Sequence, residues 1–383
     1  MATRWDVAVA DAGWFTTANL FREVPPDRAT TLLLRCSDYR VAWSQGKRPF
    51  GWNGPARATG PATWEQDLVL PTGWMKSYPR LGMRPIARAV RAWRAHAGTP
   101  GRPLALVTTY PFYLHLARML RPDRLVYLNI DDYRLYWPRA VALVDRAERA
   151  MVAAADLVAC TARHQADRLR TEHPSSASKV RHLPHGAPSA SIPPAPQDRP
   201  DAGPADIAPL PRPWVGYVGT LEDRVDWALL DRVAAGNPAA SLILVGRVGG
   251  DGAEPWHADR RRCLARPNVH AIGWRDQATI DGYNRAFDVG LIPYRVDHPF
   301  NVACCPTKIM DYMAAGRPVV ATDLPECRLH RDVFDVVPPD RFAEAVAARL
   351  ADGPDDGRAR ERWELARRES CRAVAARLLD WLE

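Results

Sequence analysis

The chain has 383 residues, too many for one ordinary hydrophobic core, and this length fits two domains of roughly 180 residues. No apolar run approaches ~18 residues, so no membrane-spanning helix is expected, and the N-terminus is typical of a first strand rather than a signal peptide. A net charge of +8 indicates contact with anions such as nucleotides, acidic glycans or an anionic membrane face, or else a dispersed solvated surface. The arginines are dispersed and no compact basic arm or zinc finger is present, so a nucleic-acid partner is not expected.

The cysteines indicate a reducing compartment. There are seven, an odd number, and none forms a CxxC pair. No set of histidines has zinc-ligand spacing, so a structural metal is not expected. Together these features predict a cytoplasmic protein.

The first half of the chain alternates between strand-like and helix-like segments. Strands are predicted at 5–10, 30–34, 104–108, 125–130, 157–160 and 180–183, and helices near 14–21, 85–97, 112–120, 139–155 and 162–171. Such alternation predicts a mostly parallel sheet covered on both faces. Residues 43–74 break the pattern with four tryptophans among basic residues, which suits sugar stacking, a membrane interface, or ordinary packing under a long loop.

A proline-rich stretch separates this half from a second α/β run. We therefore predict an N-terminal Rossmann-like domain at 1–187, a linker at 188–213, a second Rossmann-like domain at 214–357, and a basic amphipathic helix at 358–383. In the second domain, strands are predicted at 241–245, 269–272, 287–292 and 319–321, and helices from 225 and at 277–286.

A short helix beginning at Pro306 and ending before Gly316 is the most informative element of the second half. It follows a buried strand, and a helix N-terminus at that place is an anion site. Lys308 and Asp311 share one face of its first turns. The lysine could hold a phosphate and the carboxylate could accept two ribose hydroxyls. The spacing fits equally well a solvated lysine and an ordinary acid of a first helical turn.

Two such domains are expected to place a cleft between the carboxyl ends of their sheets, where strand-end residues meet a ligand. Glycines there allow close approach of the backbone, and arginines supply charge for a diphosphate. The candidate donor-binding residues are Gly219, Thr220, Arg224, Gly246, Arg247, Arg275, Tyr294, Thr307, Lys308 and Asp311.

Asp131 and Asp132 end a predicted strand of the first domain. A carboxylate there could take a proton from an attacking hydroxyl. The same residues could instead cap the following turn and pair with an arginine, and two adjacent acids could also contribute to a metal site.

Several segments resemble GT-B glycosyltransferases that build bacterial cell-surface glycans. They are 268–274 (NVHAIGW), 286–294 (AFDVGLIPY), 306–322 (PTKIMDYMAAGRPVVAT), 217–224 (YVGTLEDR) and 126–133 (VYLNIDDY). The resemblance implies a nucleoside-diphosphate-sugar donor on the C-terminal domain, an acceptor on the N-terminal one, a C-terminal helix that crosses back, and no obligatory metal or cofactor. It also implies that Lys308 lies at the diphosphate, Asp311 at the ribose or nearby, and Tyr294 beside the nucleotide.

One position departs from the family pattern. Retaining enzymes often carry two glutamates eight residues apart around this helix, and Ala303 stands where the first is expected. The departure favours the subgroup resembling the inverting xanthan glucuronosyltransferase, with Asp131 or Asp132 as the base.

The sequence therefore predicts a metal-independent glycosyltransferase of the hexosyltransferase type in polysaccharide biosynthesis, with a UDP-sugar as the expected donor. The acceptor is expected to be a glycan, a lipid-linked saccharide or a small-molecule glycoside, reached from the cytoplasm with peripheral contact at the inner face of the membrane. Two alternatives stay open. One is a GT-B-fold sugar-nucleotide epimerase, and the other is a non-catalytic protein that binds a glycan or a partner enzyme.

Overall fold

The computed structural model describes residues 3–44, 54–97, 101–197 and 199–383. The chain forms two compact units, Met1–Pro188 with Cys371–Glu383, and Ser189–Ser370. Within the described ranges, no helix is both long enough and apolar enough to cross a bilayer.

The first unit is built on an eight-stranded sheet. Its strands are β1 (Trp5–Ala10), β2 (Ala29–Asp38), β3 (Arg57–Ala58), β4 (Thr63–Leu70), β5 (Leu104–Thr108), β6 (Arg124–Asn129), β7 (Leu157–Cys160) and β8 (Val180–His182). Its helices are α1 (Phe15–Arg22), α2 (Tyr39–Ser44), α3 (Pro79–Gly82), α4 (Arg84–Ala97), α5 (Leu114–Leu120), α6 (Tyr133–Tyr136), α7 (Val141–Ala154) and α8 (Arg163–Glu172). The strand order is β3-β4-β2-β1-β5-β6-β7-β8, and every pair is parallel except β3 with β4.

The second unit contains a six-stranded parallel sheet. Its strands are β9 (Trp214–Val218), β10 (Ser241–Val245), β11 (Val269–Gly273), β12 (Val289–Ile292), β13 (Val319–Thr322) and β14 (Asp335–Val337), in the order β11-β10-β9-β12-β13-β14. Its helices are α9 (Trp227–Gly236), α10 (Pro255–Leu264), α11 (Gln277–Ala286), α12 (Pro299–Ala303), α13 (Lys308–Ala315), α14 (Phe342–Ala351) and α15 (Ala359–Arg368). The last helix, α16 (Cys371–Asp380), belongs to the first unit. The α/β class with two Rossmann-like parallel sheets is confirmed.

Both sheets are buried because their central strands are apolar on both faces. All six residues of β1 are buried. One core of the first unit packs α4, α5 and α7 on one face of its sheet, and a second core packs α1 and α16 on the other. Val374 and Leu378 of α16 lie in that second core, and Arg28 holds the end of the helix through Asp380 at 2.5 Å. These contacts place the C-terminal helix on the first unit.

The tail and the proline-rich stretch differ from the sequence-based division. The predicted single helix at 358–383 is two helices, and α15 stays with the second unit, where the indole N–H of Trp363 donates to the Pro193 carbonyl at 2.8 Å. The stretch at 189–213 also packs on that unit. Arg212 pairs with Asp288 at 3.0 Å and stacks on Trp214. Prolines suit this covering segment because it joins no strand ladder.

The segment 43–74 contains a strand that hydrophobic periodicity did not reveal. β4 runs parallel to β2, with Arg35 opposite Asp67 in register. The guanidinium of Arg35 bonds both Asp67 carboxylate oxygens, at 2.8 and 3.0 Å, and also pairs with Glu65 at 2.9 Å. These ion pairs place charged residues in the middle of β4, between Trp64 and the buried Leu68, and so interrupt the apolar pattern of a central strand. Residues 45–53, which carry part of the predicted aromatic and basic loop, lie outside the described residues.

The α15 helix is anchored by a buried ion pair. Arg362 is completely buried and its guanidinium bonds both carboxylate oxygens of Asp356 and the Val333 carbonyl. Burial alone would raise the pKa of Asp356, but the hydrogen bonds and charge of Arg362 lower it to about 2. The pair therefore contributes fully near neutral pH and is lost as the pH falls from about 4 toward 2.

We predict that Arg362→Gln lowers the free energy of unfolding of the second unit by about 1.5–3 kcal/mol at pH 7, because Asp356 loses its two hydrogen bonds from Arg362 and keeps only those from Arg358. The control is Arg360→Gln on the exposed face of the same helix, which should cost less than about 0.5 kcal/mol. Urea unfolding of the full chain measures both variants. Equal losses in the two variants would contradict the role of the pair.

Candidate functional site

The topological switch point of the second sheet lies between β9 and β12. From β9 the chain moves outward to β10 and β11, and it then returns to place β12 on the other side. The β9–β12 ladder contains only the pairs Val215–Val289 and Gly216–Gly290. Beyond it, the Tyr312 hydroxyl lies 3.2 Å from both the Gly216 and the Leu291 carbonyl oxygens. Crevices at such points bind ligands in open α/β sheets.

Lys308 lies at this switch point, one helical turn before Tyr312. Its ammonium group donates to the Tyr294 hydroxyl at 2.8 Å. The same nitrogen lies 5.0 Å from the centre of the Tyr217 ring and 5.2 Å from that of Tyr294. Lys308 is only 8% exposed, and no carboxylate in the described ranges forms an ion pair with it. A buried cation with remaining donor capacity and no counter-ion is suited to an anionic ligand.

Two glycines bring backbone up to this cation. Gly219, directly after β9, has φ +150°, and a Cβ there would lie 2.6 Å from the Lys308 Nζ. Gly246, directly after β10, has φ +154°, and a Cβ there would lie 1.8 Å from the Gly219 carbonyl oxygen. Only glycine tolerates this conformation and this close packing. Both positions were selected from the sequence, and the structure places them side by side.

The N-terminus of α13 supplies further donors. The helix begins at Lys308, two residues later than predicted, with Thr307 as its N-cap and Pro306 before it. The first backbone hydrogen bonds run from Ile309 to Pro306 and from Met310 to Thr307, at 3.1 Å each. The amides that precede them are first-turn donors, which favour an anion. The helix ends at Gly316, whose φ of +70° is the predicted left-handed C-cap.

Asp311 occupies the first turn of α13 and is partly exposed. Burial raises the pKa of its carboxyl group to about 7, an effect that Lys308 opposes and Asp281 reinforces. A group that is half ionised near neutral pH can accept hydrogen bonds from hydroxyls in its charged form. The contact of Asp311 with a ribose stays a prediction.

Two of the predicted arginines make contacts within the protein. Arg275 pairs with Asp206 at 2.6 Å and so ties the proline-rich stretch to the sheet. Arg224 donates to the Asn301 side chain at 2.8 Å and lies over the Tyr294 ring at 5.4 Å, which positions that tyrosine. Arg247, after β10, is exposed and pairs with no carboxylate of the described chain.

Thr220 is exposed after β9, and its carbonyl oxygen accepts a hydrogen bond from the Tyr217 hydroxyl at 3.1 Å. The residues that the structure gathers around Lys308 are therefore Tyr217, Gly219, Thr220, Gly246, Tyr294 and Thr307. Of these, Tyr217 was not predicted as a ligand contact, although its place as the residue two before Gly219 in a strand-end motif could have indicated it.

The two adjacent acids of the first unit have different surroundings. Asp132 caps α6, and its carboxylate accepts hydrogen bonds from the Nε and Nη2 atoms of Arg134 at 2.9 and 2.7 Å. Burial would raise the pKa of Asp132, but Arg134 lowers it below its usual value. Asp131 instead accepts a hydrogen bond from the Tyr136 hydroxyl at 2.7 Å and is partly exposed. Asp132 is therefore held in an ion pair with Arg134, whereas Asp131 is hydrogen-bonded to the Tyr136 hydroxyl.

Asp11, directly after β1, is a carboxylate that the sequence analysis did not select. Its φ is +66°, a left-handed conformation that is uncommon outside glycine. Burial raises the pKa of Asp11 to about 7, and the nearby Tyr113 hydroxyl and Cys36 amide lower it only in part. No arginine or lysine of the described residues pairs with it. The sequence offered one signal for Asp11, namely an acid that directly follows the first predicted strand and stands two residues before Gly13.

A comparison with protein families matches part of the second unit. Residues 212–352 match the family model for "Glycosyl transferases group 1", which is a little over a third of the chain. A Bacillus subtilis protein, "Putative teichuronic acid biosynthesis glycosyltransferase TuaH", is 28% identical over 136 residues, or 35% of this chain and 33% of that protein. The alignment thus spans about a third of the relative's length.

Solved structures match the whole chain at low identity. The Anabaena Alr3699/HepE structure in complex with UDP has a TM-score of 0.64 at 16% identity, covering 99% of this chain and 98% of that one. A UDP-forming α,α-trehalose-phosphate synthase from Burkholderia xenovorans has a TM-score of 0.67 at 12% identity, covering 99% and 98%. These likenesses show that the fold is shared.

We predict that Asp311→Asn stabilises the second unit more at pH 8 than at pH 5. Because the folded-state pKa is raised, the carboxyl group lowers stability increasingly as the pH rises from about 4 to 7, and asparagine removes that cost. The gain should differ by about 2 kcal/mol between the two pH values. Urea unfolding measures it, with Asp340→Asn, an exposed acid, as the pH-independent control. A gain independent of pH would contradict the raised pKa.

Proposed function

We propose that this chain, whose second unit carries a group 1 glycosyl transferase domain within a GT-B fold, moves a sugar from a nucleoside-diphosphate sugar to a hydroxyl acceptor. The observation that carries the proposal is the buried, counter-ion-free ammonium group of Lys308 at the switch point of the second sheet. A diphosphate supplies the missing negative charge. Asp311, three residues later on the same helix, is placed for the ribose hydroxyls.

The donor is proposed to be a UDP-sugar. Two similar structures are described as complexes with UDP and with UDP-glucose, and a third is of a UDP-forming synthase. In this chain the Tyr294 ring beside Lys308 would flank the nucleotide, and the backbone at Gly219 and Gly246 allows a diphosphate to approach closely. The hexosyl nature of the transferred sugar is part of the same proposal.

The charge of Lys308 and the amide dipoles at the start of α13 are proposed to stabilise the departing diphosphate without a metal ion. We therefore expect transfer to continue in the presence of a chelator. The acceptor is proposed to be a glycan, a lipid-linked saccharide or a small-molecule glycoside, bound by the first unit at the cytoplasmic face of the membrane.

Proton transfer is assigned to a carboxylate at the carboxyl edge of the first sheet. In an inverting step the carboxylate takes the acceptor's hydroxyl proton, the acceptor oxygen bonds to the anomeric carbon, and the bond from that carbon to the diphosphate oxygen breaks. Asp131 and Asp11 are the two candidates. Asp132 is the weaker candidate because Arg134 donates hydrogen bonds to both of its carboxylate oxygens and lowers its pKa.

We predict that Lys308→Met weakens UDP binding by about 10- to 100-fold, the usual worth of a charge-assisted hydrogen bond. Methionine keeps the apolar stem between the Tyr217 and Tyr294 rings, so folding should be retained. Calorimetric titration with UDP measures the affinity, and Arg341→Ala, an exposed cation of the same unit, is the control. Equal affinities in the two variants would exclude Lys308 from the donor site.

We predict that Asn at the base position lowers the transfer rate at least 100-fold while the UDP affinity stays unchanged. Asp11→Asn, Asp131→Asn and Asp132→Asn are compared by UDP release from UDP-sugars with and without acceptors. Asp132→Asn should mainly lower the melting temperature, because it removes the ion pair with Arg134. Near-normal rates in both Asp11→Asn and Asp131→Asn would refute the assignment, and isomerised donor without any acceptor would instead favour an epimerase.

A further inference from the structure

The positive charge of this protein comes from one stretch of sequence. Residues 68–122 contain nine Lys and Arg residues and not one Asp or Glu. The rest of the chain is nearly balanced, with 43 Lys and Arg against 44 Asp and Glu. A net charge of +8 that first suggests a uniformly basic protein is therefore a local property of the first unit.

Three neighbouring helices carry this stretch to the surface. The inner side of α4, with Ile86, Val90 and Trp93, is buried in the core of the first unit. Its outer side exposes Arg84 and Arg88, which are one turn apart.

The helices α3 and α5 extend the same surface. Arg80 and Arg118 both act on His115, whose pKa is lowered mainly by burial and further by these two charges, so the two arginines lie near one another. Arg91 donates to the Met119 carbonyl at 2.6 Å and joins α4 to α5. We call this surface the basic face and define it by the exposed residues Arg80, Leu81, Arg84, Arg88, Arg118 and Arg121.

The basic face has no neutralising partner on the described chain. None of its five arginines pairs with a carboxylate there, whereas Arg94, near the C-terminal end of α4, pairs with the buried Asp6 at 3.2 Å. The ranges 45–53 and 98–100 contain no Asp or Glu in their sequences. The field of the face is therefore available to an external anion.

The mixture of side chains on the basic face suits the surface of an anionic membrane. Leu81 is 58% exposed among the arginines, a combination of apolar and cationic groups that suits the headgroup region of a bilayer. Nucleic acid would be favoured by exposed aromatic rings between the cations, and the face has none.

Part of the face lies near the end of the sheet that carries the candidate base. The helix α4 follows β4, so its first turns with Arg84 and Arg88 lie toward the carboxyl edge, as do Asp11 and Asp131, whereas Arg118 and Arg121 lie at the end of α5. The amine of Lys76 lies over the Trp137 ring at 4.1 Å, which connects the segment before α3 to the segment after α6.

We infer that the basic face docks the first unit on an anionic lipid bilayer. The inference deepens the proposed function, because docking would bring the acceptor edge of the sheet to a lipid-linked saccharide. Each arginine near an anionic surface contributes about fivefold to partitioning, and high salt weakens the attraction.

The test is flotation of the full chain with vesicles of phosphatidylcholine alone or with 30% phosphatidylglycerol (about one lipid in three, as in an anionic leaflet). The variant is Arg84→Gln/Arg88→Gln/Arg118→Gln. The control is Arg146→Gln/Arg149→Gln/Arg372→Gln, which removes the same charge from exposed positions on α7 and α16 of the same unit. We expect binding to the anionic vesicles only, an approximately 100-fold lower partition coefficient in the first variant, and a change below about fivefold in the control.

Equal losses in both variants, equal binding to neutral vesicles, or absence of wild-type binding would overturn the inference. Tighter binding of the wild type to duplex DNA than to the anionic vesicles at the same salt would overturn it in favour of nucleic acid. UDP titration of the same samples separates this result from the proposed function. A wild type that binds UDP but not vesicles refutes the docking alone, and one that binds vesicles but not UDP refutes the donor site alone.

Discussion

A single buried cation determines the arrangement of the second unit at the carboxyl edge of its sheet. The ammonium group of Lys308 bonds the hydroxyl of Tyr294 and lies between that ring and Tyr217, so it connects the loops after β9 and β12 where the two strands part. The close approach of Gly219 is possible only because that residue has no side chain. Burying a charge without a counter-ion is costly, and a folded protein retains such a group where a ligand or a special function compensates for it. The donor site proposed here is that compensation.

Charge serves different purposes in the two units. In the second unit several arginines form ion pairs within the fold, such as Arg275 with Asp206 and Arg362 with Asp356. In the first unit the stretch 68–122 contains nine cations and no acid, and five of those cations are the exposed arginines of the basic face. Two carboxyl groups with a pKa of about 7, Asp11 and Asp311, lie at the carboxyl edges of the respective sheets. Perturbed acids in such places are typical of functional sites.

Sequence reasoning succeeded where local rules act and missed what depends on distant partners. The alternation of apolar strands with helices predicted both parallel sheets, and Pro306 and Gly316 marked the short helix at the anion site. It did not reveal β4, because the polar residues Glu65, Gln66 and Asp67 interrupt the apolar pattern of that strand. Nor could it show which arginines already pair with carboxylates, since Arg275 and Asp206 are 69 positions apart in the chain and meet only in the folded unit.

By itself, the sequence determined the α/β class, the position of the switch-point helix, and the net charge, because strand burial, helix capping and composition depend on residues close together in the chain. Only the tertiary structure decided the roles of individual charged groups. A pKa and a free donor depend on burial and on neighbours from other elements, and those neighbours are set by packing. For that reason the sequence selected Lys308 and Asp311 as candidates and left open an arginine partner for Asp132, whereas Asp11, the identity of that partner as Arg134, and the basic face emerged from the fold.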